Sequence, residues 1–187
     1  MQFIKRVVSI VLISLVLAGC YPKEEGSAGE FDIVITAFDS TYDFSNISTY
    51  FMADTVIAIT DPDNPENNFT YGHGYDSVIL SEMATQLNSL GYQRVFDTTV
   101  SKPDIAVLVN VNATTGNVYK YYPWLEPYRF TIGTVVATMK DLKPPLMTGD
   151  TLNIIWLGAI NGVTAGNDIE TRIQKGIDQL FIQSPYL

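Results

Sequence analysis

The feature that most constrains the fold is a nearly uninterrupted apolar run at residues 105–111, which Pro103 and Asp104 introduce. A run of this length, rich in β-branched residues, is typical of a central strand that is covered on both faces. Two other segments, residues 77–90 and the stretch after Asp168, carry apolar residues at helical spacing. Because each segment has one apolar stripe, each helix is predicted to pack on a sheet by one face only.

The predicted elements follow the order strand, strand, helix, strand, strand, strand, strand, helix. The strand segments are residues 31–38, 49–59, 92–96, 105–111, 130–139 and 152–160. The helix stripes consist of Ile79, Met83, Leu87 and Leu90, and of Ile169, Ile173, Ile177 and Leu180. This order predicts an α+β, two-layer fold, in which a mixed, largely antiparallel sheet of about five to six strands carries both helices on one face.

Local signals predict how these elements begin, end and pair. Asp76 or Ser77 is expected to cap the first helix, and Gly91 to end it in a left-handed conformation. Asp168 is expected to cap the second helix. The last two strands are expected to be antiparallel neighbours, because the connection between them is short for a parallel crossover.

The N-terminus has the layout of a lipoprotein signal peptide. Lys5 and Arg6 form a short positive region, and residues 7–18 follow without a charge. This core is too short for a membrane-spanning helix, and it ends in small residues followed by Cys20. A cysteine at this place is expected to carry a diacylglycerol on its thiol and an acyl chain on its amine. Two or three such chains anchor a protein stably in a membrane.

Three segments follow from this N-terminus. Residues 1–19 are expected to be the signal peptide, residues 20–30 the lipidated cysteine with a flexible tether, and residues 31–187 a single globular domain. Tyr21 stands where inner-membrane lipoproteins of enteric bacteria carry aspartate. The outer membrane of a Gram-negative bacterium is therefore the expected location, on the periplasmic side or at the cell surface. The motif Lys23-Glu24-Glu25 fits a solvated tether or an acidic surface-export tag.

The mature chain is strongly acidic. Without residues 1–19 it has 168 residues, with 9 Lys and Arg against 20 Asp and Glu, and a formal charge of −11. Such a surface repels nucleic acid and anionic lipid headgroups, so the membrane is expected to be a partner through the lipid anchor alone. Since Cys20 is the only cysteine, no internal disulfide and no thiolate metal cluster can form. No cofactor is expected beyond the covalent diacylglycerol and acyl chain.

Several short motifs resemble one family of proteins. They are Tyr42-Asp43-Phe44-Ser45-Asn46 with Thr49-Tyr50, Leu90-Gly91-Tyr92, Lys102-Pro103-Asp104, Trp156 with Gly158, and a closing helix followed by Pro185. Over roughly residues 40–187 they resemble a widespread family of small bacterial lipoproteins with a domain of unknown function. The resemblance implies an envelope lipoprotein with an α/β domain, and it implies no activity and no site residues. Residues 61–68 and 119–128 look like additions to the family pattern.

Two polar segments are weak candidates for chemistry. His73, the only histidine, lies between two glycines just before the first helix. The chain has no Gly-x-Ser-x-Gly elbow and no further nitrogen or sulfur zinc ligands, so a flexible helix entry explains this histidine best. Asp61, Asp63 and Glu66 offer oxygen ligands for calcium. Their spacing fails the EF-hand pattern, and a solvated loop rich in proline and asparagine explains them.

The stretch with the most information about function is residues 119–130, which hold six aromatic residues and two prolines. Prolines keep the backbone extended, so the rings cannot form one helical stripe. Two interpretations remain open: a contact surface for a protein, a glycan or the membrane interface, and a local cover over the open edge or face of the sheet. If a contact site exists here, its candidate residues are Tyr121, Tyr122, Trp124 and Tyr128.

The sequence therefore favours a lipid-anchored envelope protein without enzymatic activity, which binds another envelope protein or a glycan. Two alternatives stay open. One is an envelope hydrolase that uses paired carboxylates, whose separation in space a sequence does not give. The other is a structural component of an envelope complex. No catalytic residue is assigned in any of these cases.

Overall fold

The computed structural model is built around the predicted apolar strand, which has neighbours on both sides. It describes residues 33–113, 133–143, 147–148, 151–164 and 167–187. The predicted signal peptide and tether lie outside this part of the chain. In chain order, the elements are β1 (Val34–Phe38), β2 (Thr49–Met52), β3 (Ile57–Ile59), α1 (Asp76–Ser89), β4 (Gln93–Arg94), β5 (Ile105–Asn112), β6 (Val135–Asp141), β7 (Met147–Thr148), β8 (Thr151–Leu152), β9 (Ile154–Ile160) and α2 (Ile169–Ile182).

Seven strands form one mixed sheet. Its order is β1-β9-β6-β5-β2-β4, and β3 pairs with β5 farther along the same side. The pairs β1–β9, β9–β6 and β6–β5 are antiparallel. Strands β2 and β3 run parallel to β5, and β4 runs parallel to β2. Strands β7 and β8 form a separate two-stranded ladder. The predicted α+β class and the antiparallel pairing of β6 with β9 are confirmed, with a slightly larger sheet than expected.

The central strand β5 is fully buried on one face rather than on two. Its buried side chains alternate with partly exposed ones, and the buried ones are Ile105, Val107, Val109 and Val111. Both helices contribute to the same hydrophobic core as these four residues, on one side of the sheet. The expectation that β5 is covered equally on both faces is therefore wrong. Burial on both faces is found instead at every position of β9 and at every position of β6 except Lys140.

The helix stripes pack on the sheet as predicted. Their fully buried members are Ile79, Met83 and Leu87 from α1 and Ile173, Ile177 and Leu180 from α2. Each such side chain contributes about 1.5–3 kcal/mol of hydrophobic stabilisation. Leu90 follows the end of α1 and stays 37% exposed, so it is not part of the buried stripe. In the described part of the chain, no helix is long and apolar enough to cross a membrane.

The helix starts differ from the predictions, whereas the predicted end is confirmed. Helix α1 begins at Asp76, with Tyr75 at the N-cap position and no side-chain cap. Asp168 precedes α2 in a left-handed conformation, with a φ of 53°, and its side chain makes no cap hydrogen bond. Gly91 after α1 has a φ of 89°, as expected for a residue without a Cβ at a helix end.

The segment predicted as one strand at 49–59 is two strands. Met52 pairs with Val107 of β5, and the next pair is Ile57 with Asn110. Between these pairs the chain of β2 and β3 advances five residues while β5 advances three, and the two extra residues form a bulge. The bulge is held from outside the sheet, because the Val56 N–H donates to the carboxylate of Asp76 at 3.1 Å.

Two glycines let α2 approach β9 closely. A Cβ at Gly158 would lie 2.5 Å from the ring of Trp156 and 2.8 Å from Leu180. A Cβ at Gly176 would lie 2.7 Å from Ile160. Both positions therefore have no room for a larger residue. The Trp156 ring occupies this space and is completely buried.

Candidate functional site

A cleft of about 350 Å³ opens where β5 ends and β6 begins. Four segments meet there: the loop at residues 69–75, the end of β5, the turn that leads into β6, and the turn after β9. The cleft walls include Phe69, Tyr71, Tyr75, Asn112, Gly133 and Thr164. Its volume lies near the lower end of the range of small-ligand sites, which is about 300–1,000 Å³.

Backbone hydrogen bonds join the four segments. The Phe69 N–H donates to the Ala113 carbonyl at 2.7 Å, and the Gly133 N–H donates to the Asn112 carbonyl at 2.9 Å. Thr164 donates both its N–H and its hydroxyl to the Gly133 carbonyl, each at 3.1 Å. Gly133 has a φ of 76°, and a Cβ there would collide with the Thr164 hydroxyl. The frame of the cleft is therefore fixed by main-chain contacts and by one obligatory glycine.

The walls of the cleft combine aromatic rings with uncharged polar groups. Phe69 is 52% exposed, and Tyr71 and Tyr75 are half-buried. Thr70 adds a hydroxyl to the same lining, whereas Asn112 is completely buried beneath it. Among the described residues that line the cleft, none carries a carboxylate, an ammonium or a guanidinium group. The paired carboxylates of such a hydrolase are therefore not among these described lining residues.

The loop at one side of the cleft is fixed by the carboxylate of Asp76. The Tyr71 hydroxyl donates to it at 2.8 Å, and Nδ1 of His73 lies 3.0 Å from it. Burial raises the pKa of Asp76, but hydrogen bonds from the Val56 N–H, His73 and Tyr71 outweigh this effect and hold it below its usual value. Burial and the bond to this carboxylate raise the pKa of the Tyr71 hydroxyl.

His73 is held in a strained conformation at the mouth of this loop. Its φ is 55°, a left-handed value that costs a residue with a side chain about 1–3 kcal/mol. Its bond to Asp76 and an edge contact with the Tyr71 ring, with centroids 4.8 Å apart, offset this strain. The segment is therefore a fixed entry to α1, not a flexible one. In the described residues, no serine or cysteine side chain bonds to His73, so the geometry contains no nucleophile for a triad.

The loop considered for calcium uses its leading carboxylate internally. Asp61 accepts hydrogen bonds from the N–H groups of Asp63 and Asn64 and from the Asn64 amide, at 2.9 to 3.2 Å. The side-chain bond from Asn64 is the largest influence on the Asp61 carboxyl and lowers its pKa. Glu66 lies in the adjoining 3-10 turn, Pro65–Asn67, and is exposed. Within the described ranges, no three histidine, cysteine or acidic side chains converge to hold a metal ion.

The opening motif of the family resemblance forms a structural joint. The Asp43 carboxylate caps the 3-10 turn Phe44–Asn46 by accepting from the Ser45 N–H at 3.1 Å. Tyr42 packs against Phe44, with ring centroids 5.0 Å apart. Burial, together with the nearby carboxylates of Asp141 and Asp104, raises the pKa of Tyr42 to about 12. These residues stabilise the fold at the end of the sheet opposite the cleft, as the resemblance implied for fold-determining positions.

The residues singled out by the sequence fall into three groups. Cys20 and the aromatic residues Tyr121, Tyr122, Trp124 and Tyr128 lie outside the described residues, and their roles stay predictions. Asp61, Asp63 and Glu66 are together in one loop, away from the cleft walls. The cleft itself was not predicted. Its one sequence signal was the pair of glycines that flank His73, and their aromatic neighbours line the cleft.

The comparison with solved structures finds several similar chains. A DUF4136 family protein from Bacteroides thetaiotaomicron has a TM-score of 0.66 and 24% identity, with 83% of this chain and 97% of that chain covered. A PDZ domain protein from Parabacteroides distasonis has a TM-score of 0.46 and 14% identity, covering 83% and 36%. A PelC dodecamer from Paraburkholderia phytofirmans has a TM-score of 0.42 and 9% identity, covering 83% and 96%.

The comparison with family models gives the assignment. The comparison with curated proteins finds no match. The model described as "Domain of unknown function (DUF4136)" matches residues 34–186, which is most of the chain. The predicted membership of a family with a domain of unknown function is thereby confirmed. The chain belongs to the DUF4136 family.

Proposed function

We propose that the protein is a lipid-anchored envelope module that binds an uncharged glycan in the cleft beside α1. The observation that carries the proposal is the chemistry of the cleft walls. Phe69 and Tyr75 contribute aromatic rings, and Thr70 and Thr164 contribute hydroxyl-bearing side chains, to the same concave surface. A sugar has an apolar ring face and a rim of hydroxyl groups, and it matches both kinds of wall at once.

The charge of the molecule supports an uncharged ligand over an anionic one. The chain has a formal charge of −9, and its described cleft walls carry no cation. An anionic ligand would meet a repulsive field without a local counter-charge. A concave cleft of about 350 Å³ suits a small ligand, whereas a protein interface typically buries about 800 Å² on each partner.

The aromatic segment predicted from the sequence is connected to the same end of the sheet. Residues 114–132 join Ala113 to Gly133 along the chain, and both of these residues line the cleft. This connection supports a role for Tyr121, Tyr122, Trp124 and Tyr128 in the same binding function, as additional aromatic contacts to a glycan.

The binding proposal predicts that Phe69→Ala weakens glycan binding at least about fivefold, because one exposed aromatic wall is removed. The measurement is titration calorimetry of the full chain with neutral trisaccharides of glucose, mannose and N-acetylglucosamine. Phe96→Ala is the matched control. Phe96 is 75% exposed but does not line this cleft, so its removal is expected to leave the affinity unchanged.

Two results would contradict the binding proposal. One is an absence of heat with all three trisaccharides, and the other is an equal loss of affinity in the Phe69→Ala and Phe96→Ala variants.

The Tyr122→Ala/Trp124→Ala double variant tests the aromatic segment in the same assay, after its melting temperature has been compared with that of the wild type. A loss of affinity without a loss of stability assigns these rings to the site.

The anchoring proposal predicts that Cys20→Ser abolishes acylation, because serine has no thiol to receive the diacylglycerol. The measurement is metabolic labelling with a palmitate analogue, followed by fractionation of the envelope. Tyr21→Ser is the matched control, since it places the same residue type one position later and keeps the thiol. Palmitate label that persists in the Cys20→Ser protein would show that Cys20 is not the site of acylation, and the proposed anchor would be wrong.

A further inference from the structure

The outer edge of β1 has features of a strand that pairs with another strand. β1 ends the sheet and, within the described part of the chain, pairs only with β9. The Asn161 N–H donates to the Ile33 carbonyl and the Asp39 N–H donates to the Ile155 carbonyl, both at 2.9 Å. In an antiparallel ladder, every second residue of a strand bonds to the same neighbour. The odd-numbered residues of β1 therefore direct their N–H and C=O groups toward β9.

The other residues of β1 point their main-chain groups away from β9. These residues are Val34, Thr36 and Phe38, which alternate with the bonded ones. The stretch from Ile33 to Phe38 contains no charged residue and no proline, and its pairing with β9 is regular at all five positions. Such features leave an edge open to pairing, because natural edges are usually blocked by charges, prolines, bulges or short length.

The opposite edge of the sheet has the usual protection. β4 has only two residues, Gln93 and Arg94. The Arg94 guanidinium forms an ion pair with Asp54 at 2.6 Å and lies over the Phe96 ring, 4.9 Å from its centroid. The two edges therefore differ in the features that prevent strand addition. β3, the other strand at this side, is uncharged but has only three residues. Among the sheet edges that the structure describes, only that of β1 is long, uncharged and regular.

We propose that β1 of one copy pairs antiparallel with β1 of a second copy of this chain, around a two-fold axis at Thr36. This register joins the residues whose main-chain groups face outward. It places Thr36 opposite Thr36 of the partner subunit, and Val34 opposite the partner's Phe38. Threonine pairs and pairs of an aromatic with a β-branched residue are favourable across antiparallel strands. The contact brings no like charges together, although each copy is acidic overall.

The tether permits this pairing between two copies in one membrane, a step that rests on the proposed anchor. Ile33 lies thirteen positions after Cys20. An extended chain of this length reaches about 45 Å. In the antiparallel pair the two strand starts lie only about 14 Å apart, so both tethers reach the same bilayer. Confinement to one membrane also raises the effective concentration of the second copy.

Cysteine crosslinking in intact cells tests the pairing on the full chain. Across the two-fold axis the two Thr36 Cα atoms are expected about 5.5 Å apart, inside the range that a disulfide spans. Thr36→Cys is therefore expected to give a disulfide-linked homodimer as the main species on a non-reducing gel. Thr41→Cys is the control, because Thr41 is exposed in the turn after β1 and lies off the predicted pairing.

A second variant tests the backbone contact itself. Thr36→Pro removes the outward N–H and leaves the bonds to β9 intact, so the fold is expected to persist with an unchanged melting temperature. Dimerisation, read by an amine-reactive crosslinker, is expected to weaken roughly tenfold, because two main-chain bonds across the axis are lost. Thr36→Ala keeps the N–H and is expected to dimerise like the wild type.

Three outcomes would overturn the pairing. They are no dimer with Thr36→Cys, equal dimer with Thr41→Cys, or a Thr36→Cys adduct with a different envelope protein. The palmitate label, read on the same samples, reports on the anchor separately. A labelled but monomeric Thr36→Cys protein refutes the dimer and leaves the anchor standing, whereas an unlabelled protein refutes the anchor.

Discussion

Replacing Asp104 by alanine is expected to lower the free energy of unfolding by about 2–4 kcal/mol. One oxygen of its carboxylate accepts hydrogen bonds from the Ser48 N–H, the Thr49 N–H and the Thr49 hydroxyl, each at 2.9 Å. The Asp104 N–H donates back to the Thr49 hydroxyl at 3.0 Å. These bonds join the start of β2 to the start of β5 across 55 residues of chain. Alanine leaves three donors without their acceptor at that joint.

The measurement is urea denaturation followed by far-UV circular dichroism, with Asp97→Ala as the matched control. Asp97 also accepts from one N–H and one hydroxyl, both of Thr99, at 2.8 and 2.6 Å. These bonds lie within one exposed loop and do not connect distant segments. Their removal is therefore expected to lower the free energy of unfolding far less. A loss at Asp104 no larger than at Asp97 would show that the joint does not stabilise the sheet.

The same substitution has a pH signature. Burial raises the pKa of Asp104, but the bonds from Ser48 and Thr49 and the attraction of Lys143 outweigh it and hold it below the usual aspartate value. A carboxyl with a lowered pKa in the folded state stabilises the protein above its unfolded-state pKa, near 3.9, and loses this effect as the pH falls through the folded value. The stability difference between wild type and Asp104→Ala is therefore expected to be full at neutral pH and to shrink below about pH 4.

The sequence predicted the elements that depend on local periodicity. The stripes of α1 and α2, the strand β5 and the left-handed Gly91 follow from spacing and residue type alone, and the structure confirms them. The family resemblance was equally accessible, because its motif residues are those that fix joints of the fold. Asp43 and Asp104 accept bonds from backbone groups, and few other residue types could replace them.

The features that were missed depend on contacts between distant segments. The segment at 49–59 breaks into two strands because Asp76, 20 residues later, accepts the Val56 N–H. The same contact takes Asp76 away from the capping role that its position suggested. No local pattern announces either event, since both depend on where α1 begins relative to the sheet.

The cleft could not be predicted for the same reason. Phe69 and Thr164 lie 95 positions apart in the sequence, and the Gly133 and Ala113 backbone brings their segments together. The sequence directed attention to residues 119–130 because their composition is unusual, whereas the cleft residues are individually ordinary. A tyrosine in a loop can be recognised as part of a site only when its neighbours in the folded structure are known.

Replacing Trp156 by alanine is expected to destabilise the fold by about 3–5 kcal/mol, the largest effect of any single substitution considered. Its ring is completely buried between the sheet and α2, beside Leu180 and at the bare surface of Gly158. The indole Nε1–H also donates to the Ser184 hydroxyl at 2.9 Å, which ties the end of α2 to β9. Alanine leaves a cavity that the neighbouring residues cannot fill, because α2 and β9 are already in close contact at Gly158. It also removes the hydrogen bond from the indole to Ser184.

Ser184→Ala separates the two contributions to the Trp156 effect. It keeps the indole ring and removes the hydroxyl that accepts from the indole N–H and, at 3.3 Å, from the Tyr186 hydroxyl. This loss is expected to cost about 1–3 kcal/mol. Urea denaturation of both variants gives the comparison, and a Trp156→Ala loss no larger than that of Ser184→Ala would mean that the ring does not fill the core. Trp156 pairs with Met139, near the end of β6 that lies away from the cleft. The folded fraction of either variant is therefore expected to bind the trisaccharides with wild-type affinity, which distinguishes a residue of the core from a residue of the site.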